Sequence, residues 1–193
     1  MTLPLAMAQA GRAKRFDTEQ YVEGYAATFD KPYLLYEWDG VKYYEVIDRN
    51  ALAEADVSDV IMQYDHAGKV LARLSNKTLG IEADNNGLFM FADLSKSRAA
   101  QDLYEEISAG LITKMSWAFW VSEDAYNKET RTRTILKIKK VFDVSAVSYP
   151  ANADTEIAVR SWIDGVIEAE RREALARRRL LLLLKIKNGG MKQ

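Results

Sequence analysis

The sequence contains no cysteine and a single histidine, His66. Without cysteine the chain has no disulfide, no thiolate ligand for a metal and no cysteine nucleophile. Zinc and iron sites normally draw on several imidazole or thiolate ligands, so one histidine argues against a transition-metal enzyme. We therefore expect no metal site.

Glycine-rich phosphate-binding motifs are also missing. Gly68-Lys69 lacks the upstream glycine and the following Ser or Thr of a phosphate-binding loop, and no Gly-x-Gly-x-x-Gly occurs. Asp154-Thr155-Glu156 lacks the glycine of an aspartic protease loop, and the other carboxylates show no spacing typical of a glycosidase pair. We expect no cofactor, and carboxylate chemistry has no specific support.

No apolar run is long enough to cross a membrane. The five leucines of residues 180–184 are bracketed by arginines and lysine, far below the roughly 20 residues of a transmembrane helix. Residues 1–10 are apolar but have no positive charges before them, so we expect no secretion signal. The leucine run is therefore interpreted as a protein contact surface.

The composition indicates a folded chain. Hydrophobic residues make up 48% of the 193 residues and charged residues 28%, with ten Tyr, six Phe and four Trp, which argues against disorder. Residues 168–193 carry eight Lys and Arg against three Glu, so the end of the chain is basic and the rest mildly acidic. We predict a flexible segment over residues 1–15, one folded domain over residues 16–162 and a helical basic tail over residues 163–193.

Short aromatic and β-branched runs between residues 21 and 121 predict strands. The turn Asn85-Asn86-Gly87 between residues 78–84 and 88–94 predicts a hairpin. Ser97 followed by apolar residues at three- and four-residue spacing predicts one short helix, which Gly110 ends. Further strands are expected over residues 111–121, 132–142 and 144–149, with a polar turn at 124–130, and then a long C-terminal helix over residues 156–187.

Three side chains could carry chemistry. His66 follows an apolar run and stands at a predicted strand end, Ser116 lies inside an aromatic run, and Asp143 interrupts another strand-like run. A buried hydroxyl or carboxylate needs a hydrogen-bonding partner, and an imidazole is a suitable donor for the carboxylate. Taken singly, each has an ordinary alternative: a surface histidine, a serine bonded to backbone and a carboxylate at a strand edge in water. Ser145 and Ser148 are competing hydroxyls.

Five segments in order resemble the prohead protease family of tailed phages, and the resemblance covers residues 16–162. Each segment is weak alone, whereas five in the same order are specific. They are Val-Glu-Gly-Tyr-Ala-Ala-Thr-Phe at 22–29, Tyr-Asp-His at 64–66, Asn-Asn-Gly-Leu at 85–88, Gly-Leu-Ile-x-x-Met-Ser-Trp at 110–117 and Asp-Val-Ser-x-Val-x-x-Pro-Ala-Asn at 143–152.

The resemblance implies an α+β fold related to the herpesvirus assembly protease, with a β-barrel-like core, packed helices and, in this chain, the long C-terminal helix. It implies a serine endopeptidase in which Ser116 is the nucleophile, His66 the base and Asp143 the third member of a triad. The implied substrates are phage capsid and scaffold proteins, and the protease itself, inside the assembling prohead in the host cytoplasm.

Two alternatives remain open at the level of sequence. The first is a non-catalytic capsid-assembly or scaffold protein, in which the leucines and mixed charges of residues 156–187 drive self-association. The second treats the basic tail as a nucleic-acid contact, although no motif that reads bases accompanies it. A probe that reacts with an activated serine distinguishes the enzyme from both.

Overall fold

The computed structural model describes residues 5–7, 14–148, 172 and 175–177. The chain divides into two compact units, Met1–Pro150 and Ala151–Gln193. Strands dominate the first unit. In chain order its elements are β1 (Leu5–Met7), β2 (Tyr21–Thr28), β3 (Tyr33–Trp38), β4 (Val41–Ile47), β5 (Ile61–Tyr64), β6 (Ala67–Arg73), β7 (Leu79–Ala83), β8 (Gly87–Asp93), α1 (Arg98–Ser108), β9 (Lys114–Asn127) and β10 (Thr132–Val147).

The strands form two sheets. The first has four antiparallel strands in the order β1-β2-β8-β7. The second has six strands in the order β3-β4-β10-β5-β6, with β9 paired to the other edge of β10. Strands β4 and β5 follow one another along one edge of β10, both parallel to it, whereas β9 is antiparallel along the opposite edge.

The predicted hairpin at Asn85-Asn86-Gly87 is confirmed as the β7–β8 pair. The carboxylate of Asp84 accepts the backbone N–H groups of Asn86 and Gly87 at 2.7 and 3.1 Å, which fixes the turn. Gly87 is required for space, since a Cβ there would lie 1.9 Å from the carbonyl oxygen of Ala27 on β2. Local turn chemistry and close strand packing therefore agree at this position.

The predicted short helix is confirmed as α1. The Ser97 hydroxyl accepts the N–H of Ala100 at 3.2 Å and caps its first turn. Ala100, Leu103 and Ile107 are buried on one face, as their spacing requires. Gly110, at φ +73°, follows the last turn.

The strands after α1 are longer than the sequence predicts. Residues 132–147 form one continuous strand instead of two, and β9 continues to Asn127, so the connecting turn is limited to residues 128–131. The side chain of Asn127 accepts the N–H groups of Glu129 and Thr130 and closes this turn. The ladder between β9 and β10 runs nearly their whole length, with four irregularities in register.

A single hydrophobic cluster joins both sheets and α1. It contains buried side chains from β2, β8, β9, β10 and the helix, among them Val22, Met90, Leu103, Trp117 and Val144. A smaller aromatic cluster lies on the other face of the four-stranded sheet, where Tyr21, Phe89 and Phe91 pack together. The six-stranded sheet therefore has one face toward the main core, and the side chains of its opposite face are not part of that core.

The predicted fold class, α+β with a β-barrel-like core and packed helices, is wrong. The strands divide between two sheets, and α1 is the one helix within residues 14–148. The physical reason is that several connections are two- to four-residue turns, such as Asp39-Gly40 and residues 128–131, which leave no length for helices. The long C-terminal helix of the same prediction lies almost wholly outside the described residues; of residues 156–187 the structure describes Arg172 and residues 175–177, which are helical.

A charged cluster around the buried carboxylate of Glu45 lies at the beginning of β10. Arg133 donates to Glu45 Oε2 at 3.2 Å and to Asp124 Oδ2 at 2.6 Å, and the Tyr33 hydroxyl donates to the other oxygen of Glu45. Burial raises the pKa of Glu45, while the Tyr33 hydroxyl and the Arg133 guanidinium oppose that rise. The cluster connects β3, β4, β9 and β10, and it is about ten residues along β10 from Asp143.

Candidate active site

His66 lies at the tip of the β5–β6 hairpin. Tyr64 pairs with Ala67, so the loop contains just Asp65 and His66, with φ values of 48° and 56°. Positive φ at both positions defines a type I′ turn, which normally takes Asn or Gly. Because side chains other than glycine are disfavoured there, by roughly 1–2 kcal/mol per residue, neighbouring contacts must hold this turn.

Those contacts come from the end of β10. The Asp65 N–H donates to the carbonyl oxygen of Ala146 at 2.9 Å, and the Ser148 N–H donates to Asp65 Oδ1 at 2.9 Å. The hydroxyl groups of Tyr64 and Ser148 are also hydrogen bonded to each other. The hairpin tip is therefore fixed to the end of β10 through the two residues that precede His66.

The imidazole of His66 contacts the carboxylate of Asp143. Nδ1 lies 2.7 Å from Asp143 Oδ1, and the side chains are 4% and 9% exposed. An ionised carboxylate only accepts hydrogen bonds, so this contact assigns the proton of the neutral ring to Nδ1. Nε2 is then left as an acceptor, and it is buried without a hydrogen-bond partner among the described residues.

Asp143 occupies an interior strand and not a wet sheet edge. It pairs with Ile61 of β5 on one side and with Ala118 of β9 on the other. A buried carboxylate needs compensating donors, and two are present: the imidazole of His66 and the hydroxyl of Ser145, which donates to the same Oδ1 at 2.8 Å. This environment excludes the alternative of a solvated carboxylate at a sheet edge.

Ser116 lies on β9, directly opposite Ser145 of β10. Side chains alternate between faces, and the intervening Trp117 and Val144 belong to the main core. Ser116, Ser145 and Asp143 therefore share the face turned away from that core, and directly opposed side chains have Cβ atoms about 4.5–5.5 Å apart. No hydrogen bond joins Ser116 to His66 Nε2 within residues 14–148. Such contacts are often loose before substrate binds.

The structure thus places the three predicted site residues on three neighbouring strands or their hairpin. It joins His66 to Asp143 directly, and it sets Ser116 one strand away without a bond to either. The sequence reasoning treated Ser145 simply as a competing hydroxyl and missed its bond to Asp143. The Asp-x-Ser spacing was a usable signal, because residues i and i+2 of a strand face the same side.

Within the described ranges, no group of three or more His, Cys, Asp or Glu side chains could hold a metal ion. Over the same part of the chain, no helix has the length and apolar character needed to span a bilayer.

Comparisons with known proteins agree with the sequence motifs. A family model described as caudovirus prohead serine protease matches residues 9–166. The chain therefore belongs to the caudovirus prohead serine protease family, and the resemblance inferred from the motifs is confirmed.

The prohead protease of Enterobacteria phage HK97 is 28% identical over 145 residues. This match covers 75% of the present chain and 61% of that protein, so the chain spans about three fifths of the length of this relative. No solved structure gives a significant match.

Proposed function

We propose that the chain is a serine endopeptidase with Ser116 as nucleophile, His66 as general base and Asp143 as the orienting carboxylate. The observation that carries the proposal is the buried imidazole, with Nδ1 bound to Asp143 at 2.7 Å and Nε2 without a partner. A buried polar atom without a partner is costly and needs an explanation. The explanation proposed here is that Nε2 accepts the proton of the Ser116 hydroxyl during the reaction.

In the proposed mechanism the Ser116 hydroxyl attacks a peptide carbonyl carbon while Nε2 of His66 takes its proton. Collapse of the tetrahedral intermediate breaks the C–N bond, and the imidazolium returns the proton to the leaving amine. Water then repeats the cycle on the acyl-enzyme and releases the acid product. Asp143 keeps the Nδ1 proton in place and stabilises the imidazolium, which is favourable because the pair is shielded from water.

We further propose that the substrates are the capsid and scaffold proteins of the phage, and the protease itself, inside the assembling prohead in the host cytoplasm. The family description and the name of the HK97 relative support this assignment. Self-association of the protease is part of the same proposal. The membrane and nucleic acid have no assigned role in it.

The test of the reaction uses Ser116→Ala and a matched control, Ser122→Ala. Ser122 lies on the same strand and its hydroxyl donates to the carbonyl oxygen of Lys137 at the exposed end of the ladder. The full chain is co-expressed with the capsid and scaffold proteins of its phage, and fragments are identified by mass. Parallel samples are labelled with a fluorophosphonate. We expect the parent and the control to cleave and to label at Ser116, and Ser116→Ala to do neither.

If Ser116→Ala still cleaves and either Ser145→Ala or Ser148→Ala does not, the nucleophile is the serine whose replacement abolishes cleavage. No cleavage and no labelling in any form of the protein, with normal capsid assembly, would instead favour the non-catalytic scaffold protein.

A further inference from the structure

Ser145 has a hydroxyl inside the candidate site that the proposed reaction does not use. It is fully buried, at 0% exposure, and it donates to Asp143 Oδ1 at 2.8 Å. The same oxygen accepts the Nδ1 proton of His66 at 2.7 Å. Two donors from different elements therefore meet at a single carboxylate oxygen.

The second donor restricts the carboxylate in a way that the imidazole does not. A carboxylate turns easily about its terminal torsion, which has broad minima. His66 reaches Asp143 from a separate hairpin tip, which Asp65 anchors to the end of β10, whereas Ser145 belongs to the same strand as Asp143, and β5 and β9 hold that strand on both edges. The hydroxyl of Ser145 thus ties the orientation of Oδ1 to the backbone of β10.

We propose that Ser145 is a positioning residue for the base. It holds Asp143 in the orientation that keeps the proton on His66 Nδ1 and leaves Nε2 free to accept the proton of the nucleophile. The inference rests on the proposed serine-protease function and adds a fourth residue to it. Ser145 acts through Asp143 and is not the attacking group, because its own proton is directed at the carboxylate.

The kinetic test compares Ser145→Ala with Ser145→Thr, using Ser122→Ala as the control. Loss of one hydrogen bond to a charged group is expected to lower kcat about 10- to 100-fold in Ser145→Ala. KM is expected to stay near the parent value, because a fully buried hydroxyl offers substrate no contact. Threonine keeps the hydroxyl and suits a strand, so Ser145→Thr should recover most of the lost turnover. Melting temperatures are recorded for every variant.

The second measurement does not depend on activity. His66 is the only histidine, so ¹⁵N-histidine labelling of the full chain gives the signals of a single imidazole. We expect the parent ring, when neutral, to show a protonated Nδ1 and an unprotonated Nε2. In Ser145→Ala the two nitrogen shifts should move toward each other as the alternative tautomer becomes populated. Ser122→Ala should reproduce the parent spectrum.

The outcomes are distinguishable. Reduced kcat with an altered imidazole spectrum in Ser145→Ala supports the positioning role, and so does the altered spectrum alone if Ser145→Thr does not fold. An unaltered spectrum in a folded Ser145→Ala overturns it, whatever the activity, since the base is then held without the hydroxyl. If the parent protein neither cleaves nor labels, the proposed function fails, and the spectrum alone decides whether Ser145 orients the ring.

Discussion

Replacement of Asp143 by asparagine tests the assignment that sequence reasoning supported least directly. The change keeps the shape of the side chain but replaces one oxygen by an NH₂ group. In the parent, Oδ1 accepts from His66 and from Ser145. An amide that turns its NH₂ toward the ring requires Nδ1 to accept, and the proton then moves to Nε2, where it blocks the base.

The expected loss follows from the two orientations open to the amide. With its oxygen toward His66 the correct tautomer survives, and the imidazolium loses only the charge of its partner, up to about 3 kcal/mol or roughly 10²-fold in rate. With its NH₂ toward His66 the wrong tautomer dominates, and the established serine-protease precedent for this substitution is about 10⁴-fold. We expect kcat and kcat/KM to fall together by about 10²- to 10⁴-fold.

The assay is cleavage of the capsid and scaffold substrates by purified full-length protein, with circular dichroism and thermal melting to verify the fold. Asp93→Asn is the matched control, because Asp93 is also buried on a strand but bonds to Ser95 and Lys96. Asp65→Asn tests the competing carboxylate beside the histidine. Activity within a few-fold of the parent in Asp143→Asn, or a larger loss in Asp65→Asn, would refute the assignment.

Three further predictions concern stability and assembly. Arg133→Met should destabilise the fold by about 3–5 kcal/mol, because it leaves Glu45 without its cation. Burial raises the pKa of Glu45, so protonation of this carboxylate at lower pH relieves the cost. The loss of unfolding free energy in urea should therefore be larger at pH 8 than at pH 5, and an equal loss would contradict this reasoning. Gly87→Ala should cost about 3 kcal/mol of unfolding free energy, because the new Cβ would collide with the carbonyl oxygen of Ala27. Gly40→Ala, at φ +74° with open space around it, should cost about 1 kcal/mol. Equal melting temperatures for the two variants would disprove the packing argument. A chain ending at Trp162 should lose the self-association proposed for the leucine-rich tail, and an unchanged sedimentation profile would count against that role.

The parts of the fold that were predictable from the sequence are those set by local chemistry. The turn at Asn85-Asn86-Gly87 and the cap at Ser97 each depend on a few adjacent residues, so their signals are visible in a single sequence. The division into two sheets was not visible, because it depends on pairing between distant segments such as residues 61–64 and 143–146. The barrel and its packed helices were inferred from the resemblance; the strands divide between two sheets instead, and the short turns left no room for the helices.

Some features of the candidate site were likewise predictable from the sequence, and others were not. The residue types and the family motifs favoured a contact between His66 and Asp143, and the structure joins them by a hydrogen bond, whereas their catalytic roles stay predictions. The turn that carries His66 was not recognised, because Asp65-His66 lacks the Asn-Gly signal of a type I′ turn and depends on contacts from β10. The contact of Ser145 with Asp143 could have been predicted, because residues two apart on a strand face the same side. The register that places Ser145 opposite Ser116 could not have been predicted from the sequence.

The order of the strands along the chain determines when a functional site can exist. During translation His66 and Ser116 leave the ribosome before β10 does, and β10 carries Asp143 and supplies the ladder on which both neighbouring strands dock. A nascent chain that ends before this strand therefore has an unanchored hairpin, and Ser116 lacks the strand that pairs with β9. Under the proposed function the chain is thus inert as a protease until β10 has been made, and a premature stop before β10 yields no complete triad.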